Sequence, residues 1–284
     1  GLGNDQSTCV FAIGFNAPHT VVFAGRAIGM RYDPSLPGPG GGGPSGLYKS
    51  IDNGDTWVSG NLGNSGIFSV RPTSSGALLA GTSSQTFRST NDADSWAQVG
   101  CCRPASFAVA SNSDVLAGTF DGGLFRSTDD GTSWTLAGFS GTPVFSLAVT
   151  GSGHVFAGTY NTGIFRSTDN GATWTQVNGN LSNPVTSLAV NSAGEIFAGV
   201  FGDGVFRSSD DGQTWSAVND GLTDPYVRAL AFNSADVLFA GTRSGVFRTV
   251  APTTVPPSCV PPPSGLVSWW PGEGNANDLV DGNN

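Results

Sequence analysis

The sequence predicts an all-β protein, a six-bladed β-propeller of four-stranded antiparallel blades, and three observations favour this fold class. Residues typical of helices are scarce, since the 284 residues include two Glu, one Lys and one Met. Turn-forming residues are abundant, with 42 Gly and 17 Pro. One motif recurs every 38 to 41 residues, close to the period of about 40 to 45 residues of a four-stranded propeller blade.

Each repeat divides into four short strands, A to D, separated by clusters of Gly, Asn, Asp and Ser. In the clearest copy the predicted strands are Val144–Val149, Val155–Thr159, 163–167 and 173–177. Six A strands are counted, and they begin near Cys9, Ile67, Ser106, Val144, Val185 and Val227. Aligned A strands carry one small residue each, as strands crowded side by side require: Ala12, Ser69, Ala108, Ser146, Ser187 and Ala229.

The recurring motif is Ser-x-Asp-x-Gly-x-Thr/Ser-Trp, and it lies between strands C and D. Four copies are intact, beginning at Ser50, Ser127, Ser167 and Ser208, and a degraded copy begins at Ser89. Gly permits the positive φ of a tight turn, and the Asp carboxylate accepts bonds from neighbouring N–H and hydroxyl groups. We therefore expect a structural role, with calcium ligation as the alternative, for Asp52, Asp129, Asp169, Asp210, Trp57, Trp134, Trp174 and Trp215.

This motif resembles the Asp-box, or bacterial neuraminidase repeat, and the resemblance covers residues 9–250. Similar repeats occur in sialidases, xyloglucanases, sortilin-type receptors and photosystem II assembly factors, all of them β-propellers. Because these relatives include hydrolases, receptors and assembly factors, the resemblance implies the fold far more specifically than the function.

The sixth repeat lacks the motif and strand D, and the chain continues into a proline-rich segment. We expect the last blade to be completed by the C-terminal tail, at residues 265–270, or to be left incomplete. The tail resembles the first strand of a laminin-G-like, concanavalin-type domain. The predicted organisation is a propeller at 1–250, a linker at 251–263 and this truncated domain start at 264–284, cut from a longer modular protein.

The four cysteines indicate disulfides in an oxidising compartment, and four cysteines allow three pairings, among which the sequence alone does not choose. We prefer a Cys9–Cys259 bridge, which would join the first A strand to the segment after the last blade. Cys101 and Cys102 are then free or joined to each other. No CxxC pair exists and the sequence has two His, so neither a metal nor a cofactor is predicted.

Charge and hydropathy exclude two classes of partner. The net charge of −9 and the absence of a dense Lys/Arg face argue against nucleic acid. No apolar run reaches the length of a membrane span.

The start of the chain bears on its localisation. The chain starts at Gly1 without the apolar core of a signal peptide, as in a processed form. We therefore expect a secreted bacterial protein, extracellular or at the cell surface.

By analogy with the family, the B–C loops and D–A links share one rim, opposite the Asp-boxes, and family sites lie there. Phe120, Tyr160 and Phe201 begin three successive B–C loops and offer a stacking surface for sugars, unless they pack on their own blades. Arg26, Arg228 and Arg243, together with Arg31 and Arg103, fall at the same rim and either bind an anion or pair with local acids.

Catalysis is the weaker interpretation. The sialidase Arg-Ile-Pro signature and a Tyr–Glu pair are absent, Glu195 lies in an A–B turn, and both His lie in A–B turns. We expect no catalytic residues and interpret the chain as a binding or scaffold module for an extracellular glycan or protein, with carbohydrate as the leading ligand. The alternatives are a sialidase-like or xyloglucanase-like glycoside hydrolase, and a surface or filament protein that forms homo-oligomers by strand donation to the sixth blade.

Overall fold

A computed structural model describes residues 8–15, 21–28, 46–52, 54–63, 65–177, 179, 181, 183–250 and 253. These residues form 23 strands in six antiparallel sheets, and no helix occurs among them. Each sheet is one propeller blade, so the predicted fold class is confirmed. The chain divides into two compact units, residues 1–141 and 142–284, with three blades in each.

The first unit holds blades one to three, whose strands pair in chain order A-B-C-D. Blade one consists of β1 (Thr8–Phe15), β2 (Val22–Ile28), β3 (Gly46–Ser50) and β4 (Val58–Ser59). Blade two consists of β5 (Ile67–Pro72), β6 (Leu78–Thr82), β7 (Thr86–Ser89) and β8 (Ala97–Gln98). Blade three consists of β9 (Pro104–Val109), β10 (Val115–Thr119), β11 (Leu124–Ser127) and β12 (Thr135–Gly138).

The second unit holds blades four to six. Blade four consists of β13 (Val144–Val149), β14 (Val155–Thr159), β15 (Ile164–Ser167) and β16 (Thr175–Gln176). Blade five consists of β17 (Val185–Val190), β18 (Ile196–Val200), β19 (Gly204–Ser208) and β20 (Ser216–Ala217). Blade six consists of β21 (Ala229–Phe232), β22 (Leu238–Gly241) and β23 (Val246–Arg248).

Strand B is the buried centre of the four-stranded blades. Every residue of β6, β10, β14 and β18 is buried, and these strands read as short apolar runs such as Val-Phe-Ala-Gly-Thr. The outermost D strands are short and exposed, as in β16 and β20. In blade four the A and B strands match their predicted bounds, whereas the exposed strand D is shorter than predicted.

Adjacent blades within each unit share apolar clusters. Phe156 and Ile164 of blade four pack with Val185 and Leu188 of blade five. In the same way Val205 of blade five packs with residues of blade six, and Leu79 of blade two packs with Phe107 of blade three. Contacts between neighbouring blades therefore stabilise the fold, since one sheet alone leaves an apolar face uncovered.

In blades four and five the small residue of strand A is a serine whose hydroxyl forms a hydrogen bond to the next blade. The Ser146 hydroxyl accepts a bond from the amide of Leu188 in the next blade at 2.8 Å, and the Ser187 hydroxyl accepts one from Leu230 at 2.9 Å. In blade three the predicted small residue, Ala108, is wrong. In blade four, Ser146 pairs with the strand-B glycine Gly158. In blade three the residue that pairs with the corresponding glycine, Gly118, is Ser106, so Ser106 and not Ala108 is the counterpart of Ser146.

Several predictions fall wholly or partly outside the described residues. They include the Cys9–Cys259 bridge, the linker at 251–263 apart from Thr253, the tail at 264–284, and the completion of blade six by residues 265–270. Cys101 and Cys102 are joined by a vicinal disulfide, which is one of the two states expected for them. Within the described residues blade six has three strands.

Candidate functional site

The two ends of the blades differ in construction. Each B–C loop begins beside the D–A link that enters its own blade. The amide of Phe120 donates to the carbonyl of Arg103 at 3.1 Å, and the amides of Tyr160 and Phe201 donate to the carbonyls of Pro143 and Pro184. We call this the loop end of a blade, and the opposite end, formed by the A–B and C–D turns, the turn end.

The C–D turns at the turn end hold the predicted Asp residues in one geometry. At Asp169, the carboxylate accepts bonds from the hydroxyls of Ser167 at 2.7 Å and Thr173 at 2.6 Å, and from the Thr173 amide at 2.8 Å. The Ser167 hydroxyl accepts the Gly171 amide at 2.8 Å. Equivalent bonds surround Asp52, Asp129 and Asp210, and we call these four segments the Ser–Asp turns.

Hydrogen bonding lowers the pKa of each of these carboxyl groups. The Thr173 hydroxyl and then the Thr173 amide lower the pKa of Asp169 to about 2, because both bonds favour the ionised form. Bonds from Thr56, Ser133 and Thr214 likewise bring the pKa of Asp52, Asp129 and Asp210 to about 2. The oxygens of these carboxylates are thus engaged by their own turns.

The tryptophan that ends each turn packs against the blade core. The indole N–H of Trp57 donates to the Gly54 carbonyl at 2.9 Å, and that of Trp174 donates to Gly171 at 3.2 Å. Trp215 also donates to the carbonyl of Val177 in the preceding blade at 2.7 Å. Trp134 lies against Phe107, with ring centroids 6.1 Å apart.

A second set of contacts at the turn end joins neighbouring blades. Arg166 on β15 bonds both the carboxylate of Asp211, at 2.6 Å, and its backbone carbonyl, at 2.9 Å. The ring of His154, in an A–B turn, contacts the same carboxylate at 2.9 Å. In the first unit, Arg88 bonds Asp130 in the same way, beside Ser75.

His154 and Asp211 border a shallow cavity at the turn end of blades four and five. Its volume is about 700 Å³, and its lining includes Ser152, His154, Asn191 and Asp211. Ser152, Nδ1 of His154, Asn191 and Asp211 are hydrogen-bonded to one another or to adjacent turns. These bonds tie the A–B and C–D turns around the cavity together.

The loop end of the first unit carries an aromatic pair and an arginine. Phe120 packs edge to face on Phe68, with centroids 5.0 Å apart. The Arg103 guanidinium lies 5.9 Å from the Phe120 ring, donates to the Ser83 carbonyl at 2.7 Å and pairs with Asp121 at 2.8 Å. Phe120 is half-buried by these contacts, so its ring is packed within its own unit.

The loop end of blade four presents a more exposed ring. Tyr160 is 49% exposed and packs edge to face on Phe145, with centroids 5.6 Å apart. Phe145 occupies a β-bulge of strand β13, where the register shifts between Val144 and Ser146. The bulge changes the direction of the Phe145 side chain, and the Phe145 ring packs against that of Tyr160.

The loop end of blades five and six forms a three-residue cluster. Phe201 and Tyr226 pair in an isolated β-bridge, and their rings meet edge to face at 5.1 Å. The Arg243 guanidinium lies over both, 4.1 Å from the Tyr226 centroid and 5.1 Å from that of Phe201. We call these three residues the Arg243 cluster.

Asp224 fixes the backbone of the Arg243 cluster. Burial opposes its ionisation, but the Ser244 hydroxyl and the amides of Tyr226 and Ser244 bond to it, and these bonds lower its pKa to about 2. It is therefore ionised above that pH and holds the link containing Tyr226 to the loop containing Arg243.

The structure says less about the remaining predicted arginines. Arg228 is exposed, directly before β21, and its amide donates to the Gly241 carbonyl. Arg26 lies on β2, but its side chain is outside the described part of the structure, as is all of Arg31.

Sequence reasoning missed Phe68, Phe145 and Tyr226. The first two occupy bulges near the start of strand A, and a one-residue register shift leaves no mark in the period-two pattern. Tyr226 lies in a D–A link, where a lone aromatic carries no periodic signal.

Two kinds of feature are absent from the described residues. Among them, no group of three or more His, Cys, Asp and Glu is arranged to hold a metal ion. No helix long and apolar enough to cross a membrane occurs in that part of the chain either.

Comparisons with known proteins identify structural likeness only. No protein-family model matches the chain, and no curated protein matches it. Among solved structures, YCF48 bound to a D1 peptide superposes with a TM-score of 0.64 at 15% identity, over 87% of this chain and 80% of that chain. An extracellular domain from B. thetaiotaomicron gives a TM-score of 0.59 at 15% identity, over 86% and 38%.

Two glycoside hydrolase family 74 enzymes are also similar. The xyloglucanase from Xanthomonas campestris gives a TM-score of 0.64 at 16% identity, over 84% of this chain and 44% of that chain. The enzyme from Niastella koreensis gives 0.58 at 21% identity, over 83% and 36%. This chain spans less than half the length of either enzyme, and likeness at such identities establishes the β-propeller fold alone.

Proposed function

We propose that the chain is a secreted or surface-exposed, non-catalytic binding module that takes carbohydrate at the loop end of its blades. The supporting observation is the pair of exposed tyrosines there, Tyr160 at 49% and Tyr226 at 37%. Flat aromatic side chains with a polar tip suit sugar rings, which present C–H faces and hydroxyl edges. The extracellular neighbour is consistent with this location.

We further propose that the Ser–Asp turns are Asp-boxes with a structural role, since their carboxylates are occupied by their own turns. Because this assignment gives the turn-end carboxylates a structural role, we place the ligand site at the loop end. In the proposed organisation, residues 1–250 form the binding module, 251–263 a linker and 264–284 the start of a further domain.

The carbohydrate proposal is tested on a glycan array with the purified chain and three variants. We expect Tyr160→Ala and Tyr226→Ala each to weaken binding of a positive glycan at least tenfold, because both remove an exposed ring. Leu136→Ala is the matched control, since Leu136 is also 53% exposed but lies on a D strand. Absence of any bound glycan, or equal loss in all three variants, contradicts the proposal.

Hydrolysis receives little support from the loop end. A glycoside hydrolase needs a carboxyl group with a raised pKa as its acid, whereas hydrogen bonds lower the pKa of Asp224 to about 2. Release of reducing sugar from a bound glycan, abolished by Asp224→Asn, would establish the hydrolase alternative instead.

A specific observation favours the structural alternative, assembly by strand donation. Val246 of blade six is 53% exposed, whereas its counterparts Ile164 and Val205 are fully buried. In blades four and five, Val177 and Val218, which directly follow the D strands, pack on the clusters that contain these counterparts. A strand donated by a second copy would cover Val246 in the same way. Light scattering tests this: assembly that rises with concentration and is lost in Val246→Asp supports it, and a monomer at all concentrations contradicts it.

A further inference from the structure

The Arg243 cluster holds a charged group in a fixed position at the protein surface. Arg243 is exposed, and its guanidinium lies 4.1 Å from the Tyr226 ring and 5.1 Å from the Phe201 ring. Such cation–π contacts restrain the position of the guanidinium without using its N–H groups in conventional hydrogen bonds.

The donors of Arg243 have no acceptor in the part of the chain that the structure describes. Arg103, the other loop-end arginine over an aromatic ring, differs, because its Nε bonds the Ser83 carbonyl and its Nη1 bonds Asp121. Arg88 and Arg166 are bonded to Asp130 and Asp211 at the turn end. Arg243 is thus held by ring contacts while its hydrogen-bonding capacity is unused within the described residues.

Nearby carboxylates do not neutralise Arg243. Asp224 is occupied by the Ser244 hydroxyl and two backbone amides, and Asp203 accepts the side-chain amide of Asn183 at 2.9 Å. Neither forms an ion pair with Arg243. A planar guanidinium with two free parallel donors matches a carboxylate, which accepts two such bonds at once.

We propose that Arg243 binds the carboxylate of an acidic sugar, so that the carbohydrate ligand is a uronate-bearing polysaccharide. The carbohydrate part rests on the function proposed above, and the carboxylate part rests on the Arg243 cluster. Because the chain carries a net charge of −9, a polyanion is repelled at low salt. At physiological ionic strength, where the screening length is about 8 Å, the local bidentate contact dominates.

The experiment compares one oligosaccharide in two charge states. Isothermal titration calorimetry is performed at physiological salt with an oligogalacturonate and with its fully methyl-esterified, neutral form. We expect the full chain to bind the acid at least tenfold more tightly than the ester. Arg243→Gln should abolish that preference, and Arg243→Lys, which retains charge but loses the planar pair of donors, should retain only part of it.

Arg103→Gln is the matched control, because Arg103 also lies over an aromatic ring but has its donors engaged. It should leave the acid-over-ester preference unchanged, and thermal unfolding verifies that each variant is folded. Equal binding of acid and ester by the full chain overturns the carboxylate inference while carbohydrate binding stands. A preference that persists in Arg243→Gln overturns the role of Arg243. Binding of neither oligosaccharide overturns the uronate proposal, whereas the carbohydrate proposal itself is decided by the glycan array.

Discussion

Arg166 on blade four donates hydrogen bonds to Asp211 on blade five at two acceptors, the carboxylate at 2.6 Å and the backbone carbonyl at 2.9 Å. The amide-bearing counterpart of Asp211 in blade four is Asn170, so the charge at this position is specific to certain blades. The pair is a polar contact that joins one repeat to the next.

Replacing Asp211 by Asn should weaken this junction. The change removes an ion pair with Arg166 and a contact with His154, but the Asp211 side chain is one-third exposed, so the expected cost is only about 1 kcal/mol. Calorimetry should show Tm lowered by roughly 2 to 4 °C. The control Asp220→Asn makes the same charge change at an exposed position, and an equal fall there would refute a specific role for Asp211.

Strand-B glycines permit the close approach of neighbouring blades. A Cβ added at Gly199 would lie 2.7 Å from Val227, which precedes β21 of blade six, whereas among the described residues one at the equivalent Gly241 would meet nothing closer than 3.6 Å. We expect Gly199→Ala to cost about 1 to 3 kcal/mol through overpacking and Gly241→Ala to be nearly neutral. Urea unfolding measures both, and equal costs would show that steric contact is not the cause.

The Ser–Asp turns predict acid sensitivity. Their Asp residues have a pKa of about 2 in the folded chain against a reference of 3.8. Because the folded value is the lower one, their stabilising contribution is complete above pH 4 and is lost as the pH falls from about 4 towards 2. The free energy of unfolding should decline across that window, with a shallower decline in Asp169→Asn. An unchanged slope in that variant would argue against the turns as the source.

The vicinal disulfide should be detectable directly. When the chain is unfolded and alkylated without reduction, the peptide containing Cys101 and Cys102 should carry no alkyl group and should gain two after reduction. The same peptide map reports on Cys9 and Cys259. Alkylation of Cys101 or Cys102 before reduction would show that the bridge is absent.

Much of the fold was predictable because it rests on repetition. The Ser–Asp turns mark the C–D connections, and fully buried strands such as β14 appear as short apolar runs. The two-residue D strands were overestimated, since exposed edges carry little hydrophobic pattern. The choice of Ala108 failed because Ser106 is defined by its partner Gly118, and pairing register is not visible in one strand.

The candidate site was only partly predictable. Phe120, Tyr160 and Phe201 follow strand B at a constant offset, so the repeat alone places them at one end of their blades. The environment of each ring depends on residues from other segments. Phe120 is packed under Arg103, whereas Phe201 combines with Tyr226 and Arg243. Such differences arise from tertiary contacts that no repeat period encodes.

The turn-end ion pairs make the repeats non-interchangeable. Lys49 reaches Asp94, Arg88 reaches Asp130 and Arg166 reaches Asp211, each from one blade to its successor. A recombination event that moved a single repeat would preserve its sheet but strand a cation or an acid at the new boundary. Repeats one to three, and repeats four and five, can therefore move without breaking such a pair only as whole blocks, which gives the chain a fixed order of repeats.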